Sequence, residues 1–367
     1  MNVVVRPATD ADESAWETFV HAAPAATFFH RFPWRRVLER AFGHRCHFLL
    51  AERDGEVVGV LPLAEVRSRL FGHKLSGLPF CVYGGIVATS AEAAAALRER
   101  ACDLARELGV EALELRNPAP SDSGWPVKNL YFTFRKNFES DNARNLKAIP
   151  NRQRAMLRKG LKDGLYAEED SGTERIYRVY SESVRNLGTP VFGRRYLDIL
   201  REEFGSGCRV LMIRQTPDAS PVAGTDDAAL VAGVDGSAGG GEDVAGVLSF
   251  YFRGEVLPYY GGSVSRARAI RGCNHFMYWE LLRRSVEEGI LGFDFGRSKH
   301  DTGPFEFKKH FGFEPVALPY EYFLVGTDTV PDVNPNNPKY RLLVDTWRRL
   351  PLPLANLMGP PLARSLG

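Results

Sequence analysis

The feature that most constrains the fold is the run from Gly246 to Phe323, because it changes structural period three times within a short length. Val247–Phe252 and Val256–Tyr260 are apolar segments separated by Arg253-Gly254-Glu255, which predicts a β-hairpin. Tyr259 and Tyr260 close the second strand, followed by Gly261, Gly262 and Ser263. A helix is expected from about Asn274 to Glu288, with Asn274 as its cap and Gly289 just past its end. Leu291–Phe295 then reads as a short buried strand, and Gly296–Phe313 as an irregular loop dense in Gly, Lys and Phe. Loops at the carboxyl end of a sheet strand are where functional side chains collect.

At 367 residues the chain has room for two domains, and its 44% apolar content supplies sizeable cores. With 47 basic and 45 acidic residues the formal charge is only +2, which argues against DNA as a partner. The five cysteines, at 46, 81, 102, 208 and 273, form no CxxC pair, so a reducing, cytoplasmic setting is expected. Met1–Pro7 lacks a basic, apolar leader, and no apolar run is long enough to span a bilayer. Nothing in the sequence sets an oligomeric state.

Upstream, Val3–Arg6 reads as a strand, Asp10–His21 and Trp34–Phe42 as helices, and His47–Ala51 with Val57–Leu63 as a hairpin around Arg53-Asp-Gly-Glu56. Leu78–Val87 reads as a strand whose Gly84-Gly85 pair marks a bulge or a close backbone approach. Ala91–Leu108, closed by Gly109, reads as a helix and Val110–Leu115 as a strand. Leu130–Asn137 reads as a crossing strand, followed by a basic segment, Arg144–Lys162. The same order then returns: strand at Tyr166–Glu168, helices at Glu174–Asn186 and Arg194–Phe204, strand at Val210–Arg214. Two hairpins, each preceded by two helices and followed by helix and strand, suggest a duplicated architecture. Residues 215–242, rich in Gly, Ala, Asp and Ser, read as a flexible insertion in which Ala228–Val231 is at most a brief strand. The Pro-rich tail, residues 327–367, predicts a helix at Arg341–Arg349 and an extended Pro351-Leu-Pro-Leu.

Strand–helix–strand followed by Gly303-Pro-Phe-Glu-Phe-Lys308-Lys-His-Phe-Gly312 resembles the end of the second lobe of the FemAB-type transferases. The wider wording, Asp294-Phe-Gly-Arg-Ser-Lys299 with Thr302-Gly303 and Phe307-Lys308, resembles the subgroup that accompanies exosortase/PEP-CTERM exopolysaccharide loci. The resemblance implies an α/β fold of two tandem GNAT-like lobes with mixed sheets: residues 1–129, then residues 130–326 with the basic crossover and the insertion. It implies transfer of an aminoacyl or other acyl group to an amine of a small-molecule or lipid-linked envelope precursor. The donor is then a co-substrate, aminoacyl-tRNA or acyl-CoA, with no tightly bound cofactor, and tRNA is a further partner.

The resemblance puts Lys308 where two substrates meet, as a cation for the oxyanion of acyl transfer, with Phe307 as a wall beside it. On spacing alone, Lys308 reads equally as a solvated loop residue. Arg297, Ser298 and Lys299 are candidates for holding a phosphate or carboxylate. Asp294 and Glu306 are candidate general bases, with His300 and Asp301 nearby, although Asp294 also fits a loop brace. Tyr259 and Tyr260 are placed at the substrate. Arg154 and Arg158 in the basic segment are candidates for phosphate contact, against the alternative of a helix with solvated charges. Arg35 and Arg36 match the position where relatives present a basic residue to the precursor. His44-Arg-Cys46-His47 does not converge on a metal, and none is expected. The stretch Arg266–Asn274 lacks the Arg/Gln-x-x-Gly-x-Gly/Ala pyrophosphate pattern, which weighs against acetyl-CoA. A non-catalytic scaffold of an exopolysaccharide system is the competing class.

Overall fold

The computed structural model describes residues 2–68, 72–217, 224–234, 240–330 and 338–365. They form two compact units. The first comprises Met1–Tyr131, Ala317–Arg341 and Pro361–Gly367; the second comprises Phe132–Val316 and Leu342–Pro360.

The first unit opens with β1 (Val4–Pro7), a short turn at Asp10–Asp12, α1 (Glu13–Ala22) and α2 (Trp34–Phe42). Trp16, Phe19 and Val20 form the buried stripe of α1, and Gly43 closes α2 in the left-handed region. There follow β2 (Arg45–Cys46), β3 (Leu49–Arg53), β4 (Glu56–Leu61), β5 (Leu63–Ser68), β6 (Gly72–Gly77) and β7 (Val87–Ala88). The β3–β4 hairpin turns at Asp54-Gly55, both with positive φ. Helix α3 (Ala91–Leu108) is capped by the Ser90 side chain, which accepts from Ala93 N, and ends at Gly109. It leads into β8 (Ala112–Arg116). One sheet has the order β1-β3-β4-β7. In the other, β8 runs parallel to β6, β6 pairs antiparallel with β5, and β5 with β2. Leu49, Leu61, Leu75, Leu97, Ala101 and Leu113 share one core.

Residues 78–86 are not the strand expected from their sequence. They pass as a loop between β6 and β7. The glycine pair does mark a close backbone approach: a Cβ on Gly77 would stand 2.1 Å from the Gly84 carbonyl oxygen, and Gly84 has φ +150°. The β5–β6 hairpin was missed because Arg67 and His73 interrupt its apolar alternation.

Strand β9 (Val127–Asn137) begins in the first unit and ends in the second. The basic segment folds as two helices, α4 (Asn142–Ala148) and α5 (Asn151–Lys162), broken at Pro150. Then come β10 (Leu165–Asp170), α6 (Glu174–Leu187), α7 (Arg194–Phe204), β11 (Cys208–Gln215), α8 (Asp227–Ala232), β12 (Glu242–Phe252), β13 (Glu255–Ser263), α9 (Cys273–Glu287), β14 (Gly292–Asp294), β15 (Ser298–Lys299) and α10 (Gly303–His310). Strands β10 to β13 are antiparallel neighbours, β13 and β14 are parallel, and β14 pairs antiparallel with the end of β9. This is a mixed α/β sheet. Phe276, Trp279, Leu281, Phe293, Phe295, Phe305 and Phe311 dominate its core.

Three expectations are corrected here. Ala228–Val231 is not a strand and the insertion is not simply loose. Asp226 accepts from Ala229 N at 3.0 Å and caps α8, Leu230 is fully buried, and the Trp279 indole donates to the Leu230 carbonyl at 2.9 Å. Within that stretch, residues 218–223 and 235–239 lie outside the described residues. The run 303–310 is helical, with Thr302 as cap residue and Pro304 in the first turn. Strand β16 (Pro315–Leu324) then pairs antiparallel with β8 in the first unit. In the tail, α11 (Pro338–Arg349) is followed by α12 (Leu352–Ala363), so Pro351-Leu-Pro-Leu opens a helix instead of an extended segment. Residues 331–337 lie outside the described residues.

Candidate active site

Strands β13 and β14 are in register for only two residues, Glu255 opposite Gly292 and Val256 opposite Phe293. Beyond Val256, β13 continues to Ser263 while β14 ends at Asp294, so among the described residues one edge of β13 has no strand partner over Leu257–Ser263. Pro258 and a register shift opposite Leu248/Ser249 put Tyr259 in a bulge on this stretch. A parted strand pair with a bulge on one arm leaves backbone donors and acceptors open where a sheet would otherwise consume them.

The arm is lined by aromatic side chains. Tyr260 is buried and shares a hydrogen bond with Tyr196 of α7, hydroxyl to hydroxyl, at 2.8 Å. Tyr180 of α6 and Phe192 meet the Tyr260 ring edge-on at 5.5 and 6.0 Å, and Tyr259 packs on Phe250 at 5.1 Å. Burial pushes the Tyr180 phenol above its ordinary range, so it stays protonated at neutral pH.

At the end of β14 stands Asp294, fully enclosed. It accepts from Thr133 Oγ1 at 3.2 Å and from Gly296 N at 2.8 Å, and lies 3.6 Å from Arg135 Nε. Arg135 also donates to Glu255 at 3.1 Å, so one guanidinium serves two acids. Burial, and then the charge on Asp294, raise the Glu255 carboxyl above the usual range.

Lys308 is only 8% exposed, on the inner side of α10 next to Phe305. Its Nζ donates to three successive carbonyls: Phe295 at 2.6 Å, Gly296 at 2.9 Å and Arg297 at 3.4 Å. The Phe134 and Phe295 rings lie 5.3 and 5.5 Å away. Burial pushes its ammonium down to about 7, with Asp294 acting in the opposite sense. An ammonium has three N–H bonds, and three carbonyls claim them. The residue is therefore neither a loop lysine nor an open groove cation. It fastens the turn that follows β14, and only the long bond to Arg297 could be exchanged for a ligand without large cost.

The other expected residues divide into two groups. Around the same turn, Ser298 is buried with its Oγ unpartnered among the described residues, and the Lys299 carbonyl accepts from Thr302 Oγ1 at 2.8 Å. Arg297 follows Gly296, which has φ +65°. Phe307 packs on His275 at 4.9 Å, Tyr278 at 5.7 Å and Phe311 at 5.8 Å, so it is a wall of α9 and α10. Elsewhere, Glu306 is half-exposed on the outer side of α10, 3.9 Å from Lys309, and does not join Asp294. His300 and Asp301 pair with each other at 2.9 Å near the surface. Arg154 and Arg158 point to Asp227 of α8 at 3.5 and 2.6 Å. Arg36 is bidentate to Glu13 at 2.7 and 2.9 Å, and Arg35 reaches Asp10 at 3.3 Å, both within the first unit. Each of these four arginines already has a carboxylate. His44 packs between Phe42 and Phe80, both at 5.7 Å, and Cys46 Sγ points to the Arg35 carbonyl.

The sequence reading missed Thr133, Arg135, Tyr180, Tyr196, Glu255 and His275. His275, in the first turn of α9, contacts Gln153 Oε1 at 2.7 Å, and burial lowers its pKa to about 4. Gly272, with φ +87°, lets α9 begin against α5: a Cβ there would come within 2.1 Å of the Met156 carbonyl oxygen. The loop before it carries Arg268 and Arg271 exposed, while Arg266 pairs with Glu242.

Residues 234–309, which contain β12, β13, α9, β14 and most of α10, match the family described as acetyltransferase (GNAT) domain. Comparison with curated protein sequences finds no match. Among solved structures the chain is similar to FemX, with 16% identity, a TM-score of 0.66, and coverage of 93% of this chain and 100% of that one. It is also similar to the C-terminal domain of an Agrobacterium fabrum protein named as a lysylphosphatidylglycerol synthetase (13%, TM-score 0.54, covering 85% and 91%). A tandem GNAT protein from the clavulanic acid biosynthesis pathway superposes with a TM-score of 0.52 at 12% identity, covering 89% and 100%. The fold is thus α/β, GNAT-like, with mixed sheets, and it is shared with FemX and with tandem GNAT proteins.

Proposed function

We propose that the chain is an N-acyltransferase that moves an aminoacyl or other acyl group onto an amine of a cell-envelope precursor. The observation that carries this is the parting of β13 from β14 at a bulge, inside the segment that matches a GNAT acetyltransferase domain. Transfer requires the amine nitrogen to attack the donor carbonyl. A C–N bond forms, the donor's C–S or C–O bond breaks, and the proton lost by the amine is matched by the one the leaving thiol or hydroxyl gains. The open edge of β13 offers backbone donors to the carbonyl oxygen as it gains charge. The Tyr196–Tyr260 hydroxyl pair is the group on this arm suited to return a proton to the leaving group. Asp294 and Glu255, with Arg135 between them, form the acidic end of the site. Lys308 holds the turn in shape.

The likeness of fold to FemX and to a domain named as a lysylphosphatidylglycerol synthetase supports an aminoacyl donor and an envelope acceptor. The wording around Asp294–Lys308 supports placement in an exosortase-associated, exopolysaccharide setting in the cytoplasm. The absent pyrophosphate pattern favours aminoacyl-tRNA over acetyl-CoA, with other acyl-CoAs as the alternative donor. The test is incubation of the pure protein with aminoacyl-tRNAs, acyl-CoAs, and nucleotide- and lipid-linked precursors, read by mass spectrometry. A mass gain of one acyl group is expected, lost in large part in Tyr260→Phe. The enclosure of Asp294 and the occupied donors of Lys308 favour one competing reading, a non-catalytic binding protein. Saturable precursor binding without any acyl transfer would establish that reading instead.

A further inference from the structure

The C-terminal helix α12 is built the reverse way from an ordinary surface helix. Its one polar side chain, Asn356, points inward and donates to Ser181 Oγ of α6 at 3.4 Å. Ala355 is fully buried, and Gly359 lies against the Val191 backbone. The outward residues are all apolar: Pro353, Leu354, Leu357 and Met358 are exposed, preceded by exposed Pro351. Leu354, Leu357 and Met358 are 45, 74 and 47% exposed. Their spacing of three and four residues places them in one stripe. A surface helix of a soluble protein normally turns its polar residues outward.

The stripe is flanked by cations. Arg348 and Arg349 are exposed at the end of α11, just before α12. Arg348 donates to the carbonyl of Leu187, itself 66% exposed, and Arg185 donates to the Arg348 carbonyl. At the other end Pro360 packs 3.5 Å from where a Gly193 side chain would begin, and Arg194 and Arg195 follow, both exposed. Acids lie nearby as well: Asp345 is 3.5 Å from Arg348, Glu174 and Asp198 are 3.9 and 3.8 Å from Arg194, and Glu182, Glu242 and Asp243 line a pocket with Leu352 at the start of α12, where Arg178, Arg214 and Arg266 face them. Arg195 and Arg349 have no ion pair among the described residues.

We propose that this outward face of α12 docks the protein on an anionic lipid membrane. An apolar stripe with arginines at its margins suits the boundary between headgroups and acyl chains. At 12 residues the helix is about 18 Å long, too short to cross a hydrocarbon core of about 30 Å, so it lies in the surface. Self-association through the same stripe would bring two sets of these arginines together, whereas anionic headgroups neutralise them. The proposal is independent of the acyl-transfer reading.

Flotation of the full chain with vesicles of phosphatidylcholine alone, and of phosphatidylcholine with phosphatidylglycerol, tests it. Binding is expected with phosphatidylglycerol, weakening as salt rises. Leu354→Gln/Leu357→Gln/Met358→Gln should reduce it at least tenfold, and Arg348→Gln/Arg349→Gln should remove most of the preference for the anionic vesicles. Melting curves check that the variants fold, and Leu357→Gln alone serves if the triple variant does not. Failure of the wild-type chain to float with either vesicle, or unchanged flotation of the triple variant, overturns the proposal. A wild-type dimer that the triple variant loses, without vesicle binding, also overturns it and assigns the face to a second copy.

Discussion

Lys308 changes meaning once its neighbours are known. Its residue type and its place after Phe307 suggest an electrophilic cation, yet its three donors hold the carbonyls of residues 295–297. Lys308→Met keeps most of the buried stem and removes Nζ, stranding two well-bonded carbonyls. Each unsatisfied buried acceptor costs about 1–3 kcal/mol, so the variant is expected to be clearly less stable in urea. An unchanged denaturation midpoint would mean that the turn holds itself and that Nζ is free for substrate. Asp294 belongs to the same lock through Gly296 N and Thr133. Asp294→Asn is expected to perturb the turn as well as any catalysis, which a loss of both stability and kcat would reveal.

Among elements, α8 and α12 have the sharpest consequences. A Gly-rich connection of the length of residues 215–242 costs little closure entropy, which makes it look dispensable. The buried Leu230 and its carbonyl's bond to Trp279 contradict that. Leu230→Ala is expected to cost about 2–5 kcal/mol, as for other fully buried leucines, measured by chemical denaturation. Removing residues 216–241 should cost at least as much. A deletion protein as stable as the parent would show that α8 contributes no net packing. Asp226 is a cap-forming residue type, but the Gly, Ala and Ser around it give no periodic stripe that would mark a buried helix after it. Prolines misled at α12 in a similar way, since Pro351 and Pro353 suggest extended chain. A helix tolerates proline in its first turn, where N–H groups have no intrahelical partner.

Across the whole molecule, two histidines with the largest downward shifts, His44 in the first unit and His275 in the second, add to the loss of stability in acid, and burial lowers His47 in the first unit as well. Burial lowers both His44 and His275 to about 4. Both are neutral in the fold, while the unfolded chain takes up protons at the ordinary value of 6.5. Their contribution to stability is therefore full above that value and is lost as pH falls through the window down to about 4. Each is worth on the order of 3 kcal/mol over the full window. His44→Gln/His275→Gln should flatten the acid side of a urea-midpoint profile between pH 7.5 and 4.5. An equally steep profile in the double variant would assign the acid limit to the carboxylate–arginine networks instead.

Helices such as α2 and α3 were legible to the residue because an apolar stripe and a terminal glycine are local signals, set by the helical period and by the left-handed backbone that glycine permits. The repeated order of elements, the mixed α/β class and the hairpin before the site were legible for the same reason. The candidate site was legible only as a region. Tyr259, Tyr260, Asp294 and Lys308 stand out in sequence, but Thr133, Arg135, Tyr180, Tyr196 and His275 reach the same sheet from distant segments, and no local pattern marks them. Whether a charged side chain faces solvent, a ligand or an internal partner depends on what packs against it. Tertiary structure alone decided that Arg36 meets Glu13, that Arg158 meets Asp227, and that the Lys308 ammonium is used up on its own backbone.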